Sequence, residues 1–334
     1  MNTLVPRPAG PFPLIRDVPR ADGPVPLRLL TPNATLTERH DLTADMARFV
    51  VRPDEGAPDF EPGQYMSLGL EIGGKTILRP YSTASPSGAT ETLEFLIKRV
   101  DSGSFTPSMW GLAVGGRLWM GPPKGLFTLT SNDSRTHLLV SAGTGIAPFI
   151  SMLSRLSRTS IRVVVAHGVS YEPELAYRPW LESLAATRSN VLYAPTVSRP
   201  DAPQNAAWGG RSGRVEQVLA AICADVDVDP AATVAYLCGN PDMVERSREV
   251  LRGLGMAEAD IVRENYWAPT AKRAACRRSA ACAAGHESTR PAEIRRAFCA
   301  VASASYLARS AAPSRAAWAA ARRATGTRNG EQDT

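Results

Sequence analysis

Arg79-Pro80-Tyr81-Ser82 places a cation, a residue of fixed φ, an aromatic face and a hydroxyl in four consecutive positions. These are the groups needed to hold a flavin dinucleotide. A guanidinium fork matches pyrophosphate oxygens, a tyrosine ring can lie flat on an isoalloxazine, and a serine hydroxyl can donate to the flavin edge at N5. Pro80 biases Arg79 towards extended backbone, so side chains 79 and 81 point to the same face of a strand. Taken alone, the four residues equally describe an ordinary strand with a surface arginine.

Four further segments carry residues suited to nucleotide chemistry. Gly143-Thr144-Gly145-Ile146-Ala147-Pro148 falls between an apolar run and a helical pattern. Glycines there let a phosphate approach the backbone, and the helix start offers oriented N–H groups. The segment is neither a GxGxxG fingerprint nor a P-loop, and a plain strand-to-helix turn would read the same way. Cys238-Gly239-Asn240-Pro241-Asp242-Met243 ends another apolar run. Ligands of open α/β sheets bind at such carboxyl ends, and Gly239 permits the close approach of a nicotinamide ring. Cys238 by itself reads better as a buried structural cysteine followed by a turn. Ser198-Arg199 and Gly213-Arg214 offer two guanidinium groups for a 2′-phosphate, or two solvated surface arginines. His137 and His167 flank strands and read as structural. No Ser/His/Asp or paired-carboxylate arrangement stands out.

The elements that must position these groups change character near His137. Before it, short β-type runs at Arg48–Val51, Gln64–Leu70, Leu93–Val100 and Arg117–Met120 alternate with turn signals, which predicts an antiparallel barrel. After it, strands at His137–Ser141, Ile161–Ala166, Val191–Val197, Thr233–Cys238 and Ile261–Trp267 alternate with helices at Phe149–Leu156, Leu175–Ala186, Arg214–Ala224 and Asp242–Leu254. That alternation predicts βαβ units and a parallel sheet. The expected organisation is a lead-in (1–26), a barrel (27–130), a nucleotide-binding domain (131–267) and an Ala/Arg-rich tail (268–334), disordered or partly helical. A frameshifted or read-through end would look like this tail, and so would a natural low-complexity extension.

The chain has 334 residues and a net charge of +6. The tail carries about 12 Lys and Arg against about 4 Asp and Glu, which leaves the rest near −2. The basic balance therefore belongs to the tail, and nucleic-acid binding is not expected of the body. Five cysteines show no zinc or cluster spacing, so no metal is expected and the pattern suits a reducing cytosol. No apolar run is long enough to span a membrane, and the opening residues lack a secretory pattern.

In this order the motifs resemble the ferredoxin/flavodoxin–NADP reductase family of bacterial type, over roughly residues 27–267. The resemblance implies a six-stranded antiparallel FAD-binding barrel followed by a parallel-sheet NADP-binding domain, with FAD and NADP(H) as cofactors. For FAD it implies Arg79, Tyr81, Ser82, Lys98, Val100, Gly103, Phe105, Thr106, Thr144, Tyr266 and Trp267. For NADP it implies Gly143, Thr144, Gly145, Val169, Ser170, Ser198, Arg199, Arg214, Gly239, Asn240 and Met243. Ser82, Cys238 and Glu264 would lie at the site of hydride transfer, and Tyr266 or Trp267 would cover the second flavin face or the adenine.

The implied activity passes hydride from NADPH to flavin and then single electrons to ferredoxin or flavodoxin, in a cytoplasmic monomer. An oxygenase reductase component or a free flavin reductase would share the fold, and a basic-tailed binding protein is the non-enzymatic alternative. Two features depart from the family pattern. About 67 residues follow Trp267, and Ser170 stands where an arginine is common.

Overall fold

The computed structural model describes residues 30–130 and 132–266. The chain forms two units, Met1–Ala271 and Lys272–Thr334. The second unit, and with it the expected tail structure, lies outside the described residues, as do Trp267 and the lead-in.

Six antiparallel strands come first: β1 (Ala34–Asp41), β2 (Met46–Pro53), β3 (Tyr65–Ile72), β4 (Lys75–Ser82), β5 (Leu93–Lys98) and β6 (Arg117–Met120), in the order β4-β3-β6-β1-β2-β5. A bridge between Thr83 and Phe95 joins the two outer strands and closes the barrel. Alternation turns Leu36, Phe49, Leu68, Phe95 and Ile97 inward. Helix α1 (Phe105–Gly111) adds Phe105 and Met109 to the same core. The sequence pattern missed β1, whose polar residues mask its period.

The second sheet is wholly parallel, in the order β10-β9-β8-β7-β11-β12. Its strands are β7 (Thr136–Ala142), β8 (Val163–Val169), β9 (Val191–Val197), β10 (Arg211–Ser212), β11 (Thr233–Gly239) and β12 (Ile261–Asn265). Helices α2 (Ala147–Leu156) and α3 (Arg178–Thr187) pack on one face, against Leu139, Val165 and Tyr236. Helices α4 (Val215–Asp225) and α5 (Pro241–Gly253) pack on the other, against Leu138, Val140 and Leu237. The α2-side core also takes in Met46, Ala84, Leu96 and Phe127 from the barrel side, so one apolar cluster joins both sheets.

The strand order reverses between β7 and β11, the switch point at which open α/β sheets bind ligands. The predicted helix at 175–186 begins instead at Arg178. A 3₁₀ turn at Glu172–Glu174 precedes it, and Tyr177 sits in the left-handed region with φ 62°. The last strand stops at Asn265 rather than reaching Trp267, and Tyr266 follows it outside the sheet.

Candidate active site

Four side chains meet where the end of β4 faces the ends of β11 and β12. The parallel register sets Cys238 opposite Glu264 and Gly239 opposite Asn265. The Tyr266 hydroxyl donates to Ser82 Oγ (3.1 Å), and Ser82 Oγ donates to Glu264 Oε2 (3.1 Å). Cys238 Sγ approaches the same carboxylate oxygen at 3.7 Å. The Tyr266 N–H donates to the Gly239 carbonyl (2.7 Å), which fixes the turn out of β12.

Burial governs the protonation of this cluster. Desolvation pushes the Glu264 carboxyl above its ordinary range, partly offset by the hydrogen bonds from Ser82 and Cys238. It also drives the Cys238 thiol well up, reinforced by the Glu264 charge. Cys238 is therefore a neutral thiol and not a reactive thiolate. The Tyr266 phenol is raised by burial, then by its neighbours Cys238 and Glu264.

On the barrel side, Tyr81 is half-buried with its ring 5.9 Å from that of Phe105, and desolvation raises its phenol. Arg79 is exposed and donates to its neighbour's carbonyl, Leu78 O, at 2.7 Å. It forms no ion pair among the described residues. The 100–106 turn is closed by Thr106: the Val100 N–H donates to its hydroxyl (2.9 Å), which donates back to Val100 O (3.1 Å). Gly103 N donates to the same carbonyl (3.1 Å).

The Gly143–Ile146 segment is a 3₁₀ turn leading directly into α2. A Cβ at Gly145 would stand 2.2 Å from the Cys238 carbonyl oxygen, so only glycine lets the turn after β7 sit against the end of β11. A Cβ at Gly143 would meet nothing within 4 Å, so that stretch of backbone is open to a ligand. The fully buried His167 holds the turn from below, its Nε2 3.2 Å from Gly143 O and its Nδ1 3.4 Å from the Tyr193 hydroxyl. A carbonyl only accepts, so the proton sits on Nε2. Burial lowers the His167 pKa to about 4, which keeps the ring neutral.

Farther along the same edge, the loops after β8, β9 and β10 converge. Ser198 N donates to Val169 O and Gly213 N to Val197 O. Arg199 stacks over the Tyr171 ring, 5.2 Å from its centroid, and donates to the Tyr171 hydroxyl. Arg214 is the N-cap residue of α4 and is exposed. Asn205 is buried and ties the loops together, donating to Ser170 O (3.0 Å) and Arg199 O (2.7 Å).

Three of the expected site residues have their side chains engaged elsewhere. The Lys98 ammonium pairs with Glu174 and Asp45. Met243 is 2% exposed and packed in the α4–α5 core beneath Gly239. The Asn240 side chain caps α5 by accepting from Met243 N (2.9 Å). Sequence reasoning missed Tyr171, Glu174 and Asn205. The first two carried the only available hint, an aromatic and a carboxylate close after Ser170. His167 has the structural role expected of it, and its hydrogen bond to Gly143 O joins β8 to the turn after β7.

Residues 33–129 match the oxidoreductase FAD-binding domain family and residues 139–249 the oxidoreductase NAD-binding domain family. The chain is 33% identical over 225 residues to ferredoxin–NADP reductase B of Sorangium cellulosum, covering 64% of this chain and 88% of that protein. It is 27% identical over 252 residues to the propane 2-monooxygenase reductase component of Rhodococcus jostii, covering 74% of this chain and 66% of that one. Among solved structures, a ferredoxin NADP+ reductase from Neisseria gonorrhoeae with bound FAD and NADP superposes with a TM-score of 0.62 at 25% identity. The match covers 70% of this chain and 98% of that one.

Proposed function

The chain belongs to the ferredoxin–NADP reductase family, an FAD- and NADP-binding oxidoreductase, and on that premise we propose that it uses NADPH to reduce ferredoxin or flavodoxin. The observation that carries the reading is the Ser82–Glu264–Cys238–Tyr266 cluster at the junction of barrel and sheet.

The residues present fit both cofactors. Arg79 is a guanidinium uncommitted to any carboxylate among the described residues, Tyr81 is a half-buried aromatic, and the backbone at Gly143 is open. When bound, FAD supplies the ability to take electrons in pairs from NADPH and release them singly. Arg79 binds the flavin pyrophosphate and Tyr81 stacks on the ring system, while Val100, Gly103, Phe105 and Thr106 form the turn beside it. Ser82 accepts from the Tyr266 phenol and donates to the Glu264 carboxylate, and turning that O–H away from Glu264 would aim it at the flavin edge. The Glu264 carboxyl, its pKa raised by burial, accepts from Ser82 Oγ and is the group at this junction suited to exchanging a proton along that hydrogen bond. Cys238 and Gly239 line the nicotinamide side as neutral, close-packed groups. Gly143, Thr144 and Gly145 receive the nucleotide pyrophosphate, and Val169, Ser170 and Ser198 line its adenosine end. Arg199 and Arg214 pair with the 2′-phosphate, which makes up for a serine at position 170.

The relationship to the propane 2-monooxygenase reductase component favours a second reading, in which the electrons go to an oxygenase. No His/Cys/Asp/Glu group suited to a metal occurs among the described residues, and no helix among them is long and apolar enough to cross a membrane. A cytoplasmic monomer is the form proposed. Anaerobic titration of the full-length protein with NADPH, followed by flavin absorbance, tests the donor half. Steady-state rates with ferredoxin, flavodoxin and free flavin test the acceptor. A protein that binds no FAD refutes both readings. Turnover with free flavin alone refutes the carrier-protein assignment.

A further inference from the structure

The Glu174 carboxylate reaches the barrel through one oxygen and holds its own loop through the other. It stands in the 3₁₀ turn before α3, with its side chain 5% exposed. Oε1 is paired with the Lys98 ammonium, at the end of barrel strand β5. Oε2 accepts from the backbone N–H groups of Ser170 (3.0 Å) and Tyr171 (3.1 Å), in the loop that follows β8. Asp45 adds a second carboxylate to Lys98 at 3.4 Å.

A second tie lies one turn away. The Tyr177 hydroxyl donates to Glu94, also on β5, and Arg48 of β2 pairs with Glu94 (3.3 Å) while lying over the Tyr177 ring. Tyr177 adopts φ 62°, which costs energy for a residue with a Cβ and is kept only where surrounding contacts demand it. The segment from Ser170 to Tyr177 is thus attached to one barrel strand at two points.

The same segment carries Tyr171, on whose ring and hydroxyl Arg199 rests. We infer that Lys98 is a positioning residue for the nucleotide site: through Glu174 it fixes the Ser170–Tyr171 loop, and through Tyr171 it sets Arg199 against the adenosine phosphate of NADPH. Lys98 serves the dinucleotide substrate and not the flavin that the family pattern assigns to it. Removing the ammonium leaves a nearly buried carboxylate with only two amide donors, and the loop must open to hydrate it. The inference rests on the proposed 2′-phosphate role of Arg199.

The test uses the full-length, FAD-loaded protein, with 2′,5′-ADP binding measured by calorimetry and NADPH–ferricyanide kinetics alongside. Lys98→Met is expected to weaken 2′,5′-ADP binding by about tenfold or more and to raise KM for NADPH in step. It should leave kcat within about twofold and flavin content at the wild-type level. Lys98→Arg restores most of the affinity, and Glu174→Gln shifts it in the same direction as Lys98→Met. Unchanged 2′,5′-ADP affinity in both Lys98→Met and Glu174→Gln overturns the inference while the nucleotide site stands. So does loss of flavin from Lys98→Met with its 2′,5′-ADP affinity intact. Failure of the wild-type protein itself to bind 2′,5′-ADP removes the 2′-phosphate reading, and the inference with it.

Discussion

Ser82 Oγ and Glu264 Oε2 lie 3.1 Å apart across 182 residues of sequence. One belongs to the last position of a barrel strand and the other to the last strand of the parallel sheet. Neither domain alone contains the pair. The shared apolar cluster, in which Met46 and Leu96 pack with Phe149 and Met152, brings the two strand ends together. The same cluster takes in Cys238 and has Tyr266 packed against it, so the geometry of the pair depends on the apolar packing that joins the two sheets.

Glu264→Gln separates the proton from the scaffold. The folded protein holds this proton more tightly than the unfolded chain, so the carboxyl favours folding most at low pH. That contribution is lost as pH rises from 4.5 through the raised value. The variant, with no charge to bury, should gain melting temperature relative to wild type as pH increases from 4 to 8. NADPH–ferricyanide turnover at pH 7 should fall by about 10²-fold. Full turnover in the variant would rule out a role for the carboxyl in proton handling.

Tyr81→Ala removes the proposed flavin stack and its contact with Phe105. Loss of one aromatic face should cost about 2 kcal/mol of FAD binding, roughly 30-fold in Kd, read by fluorescence titration of the apoprotein. Tyr81→Phe should stay close to wild type. Equal affinity in the alanine variant would refute the stacking assignment.

Arg199→Ala tests the adenosine end. Losing charge-assisted hydrogen bonds to a 2′-phosphate should raise KM for NADPH by about tenfold or more. KM for NADH should barely move. Parallel changes with both nucleotides would mean that Arg199 supports the loop rather than reading the phosphate.

His167 should show in the acid limb of stability. Its folded pKa is about 4 against an ordinary 6.5. The unfolded chain takes up the proton first, so the stability present above 6.5 is lost as pH falls towards 4. His167→Gln keeps a donor for Gly143 O and should flatten the melting curve between those values. His167→Leu leaves that carbonyl without its partner and should cost about 1–3 kcal/mol at pH 7 by urea unfolding. Identical acid limbs in wild type and His167→Gln would exclude this ring as the titrating group.

The sequence by itself determined the two architectures. The change from alternating short runs to strand–helix alternation near His137 marks the boundary between an antiparallel and a parallel sheet, because each period belongs to one geometry. Strand β9, Val191–Val197, was legible to the residue, since its apolar run is bounded by turn signals. Arg79-Pro80-Tyr81-Ser82 falls at the end of a strand and Gly143-Thr144-Gly145 in a strand-to-helix turn, as the local residue types indicate: a proline-fixed extended run and a backbone without Cβ. Only the tertiary structure decided which charges are free. Lys98 looks like Arg79 in sequence, yet one is paired with Glu174 and Asp45 while the other faces no carboxylate among the described residues. Burial of Met243 and the capping bond of Asn240 likewise depend on how α5 settles on the sheet. Partner choice at these positions is set by packing between segments distant in sequence, and no local pattern encodes such a distance.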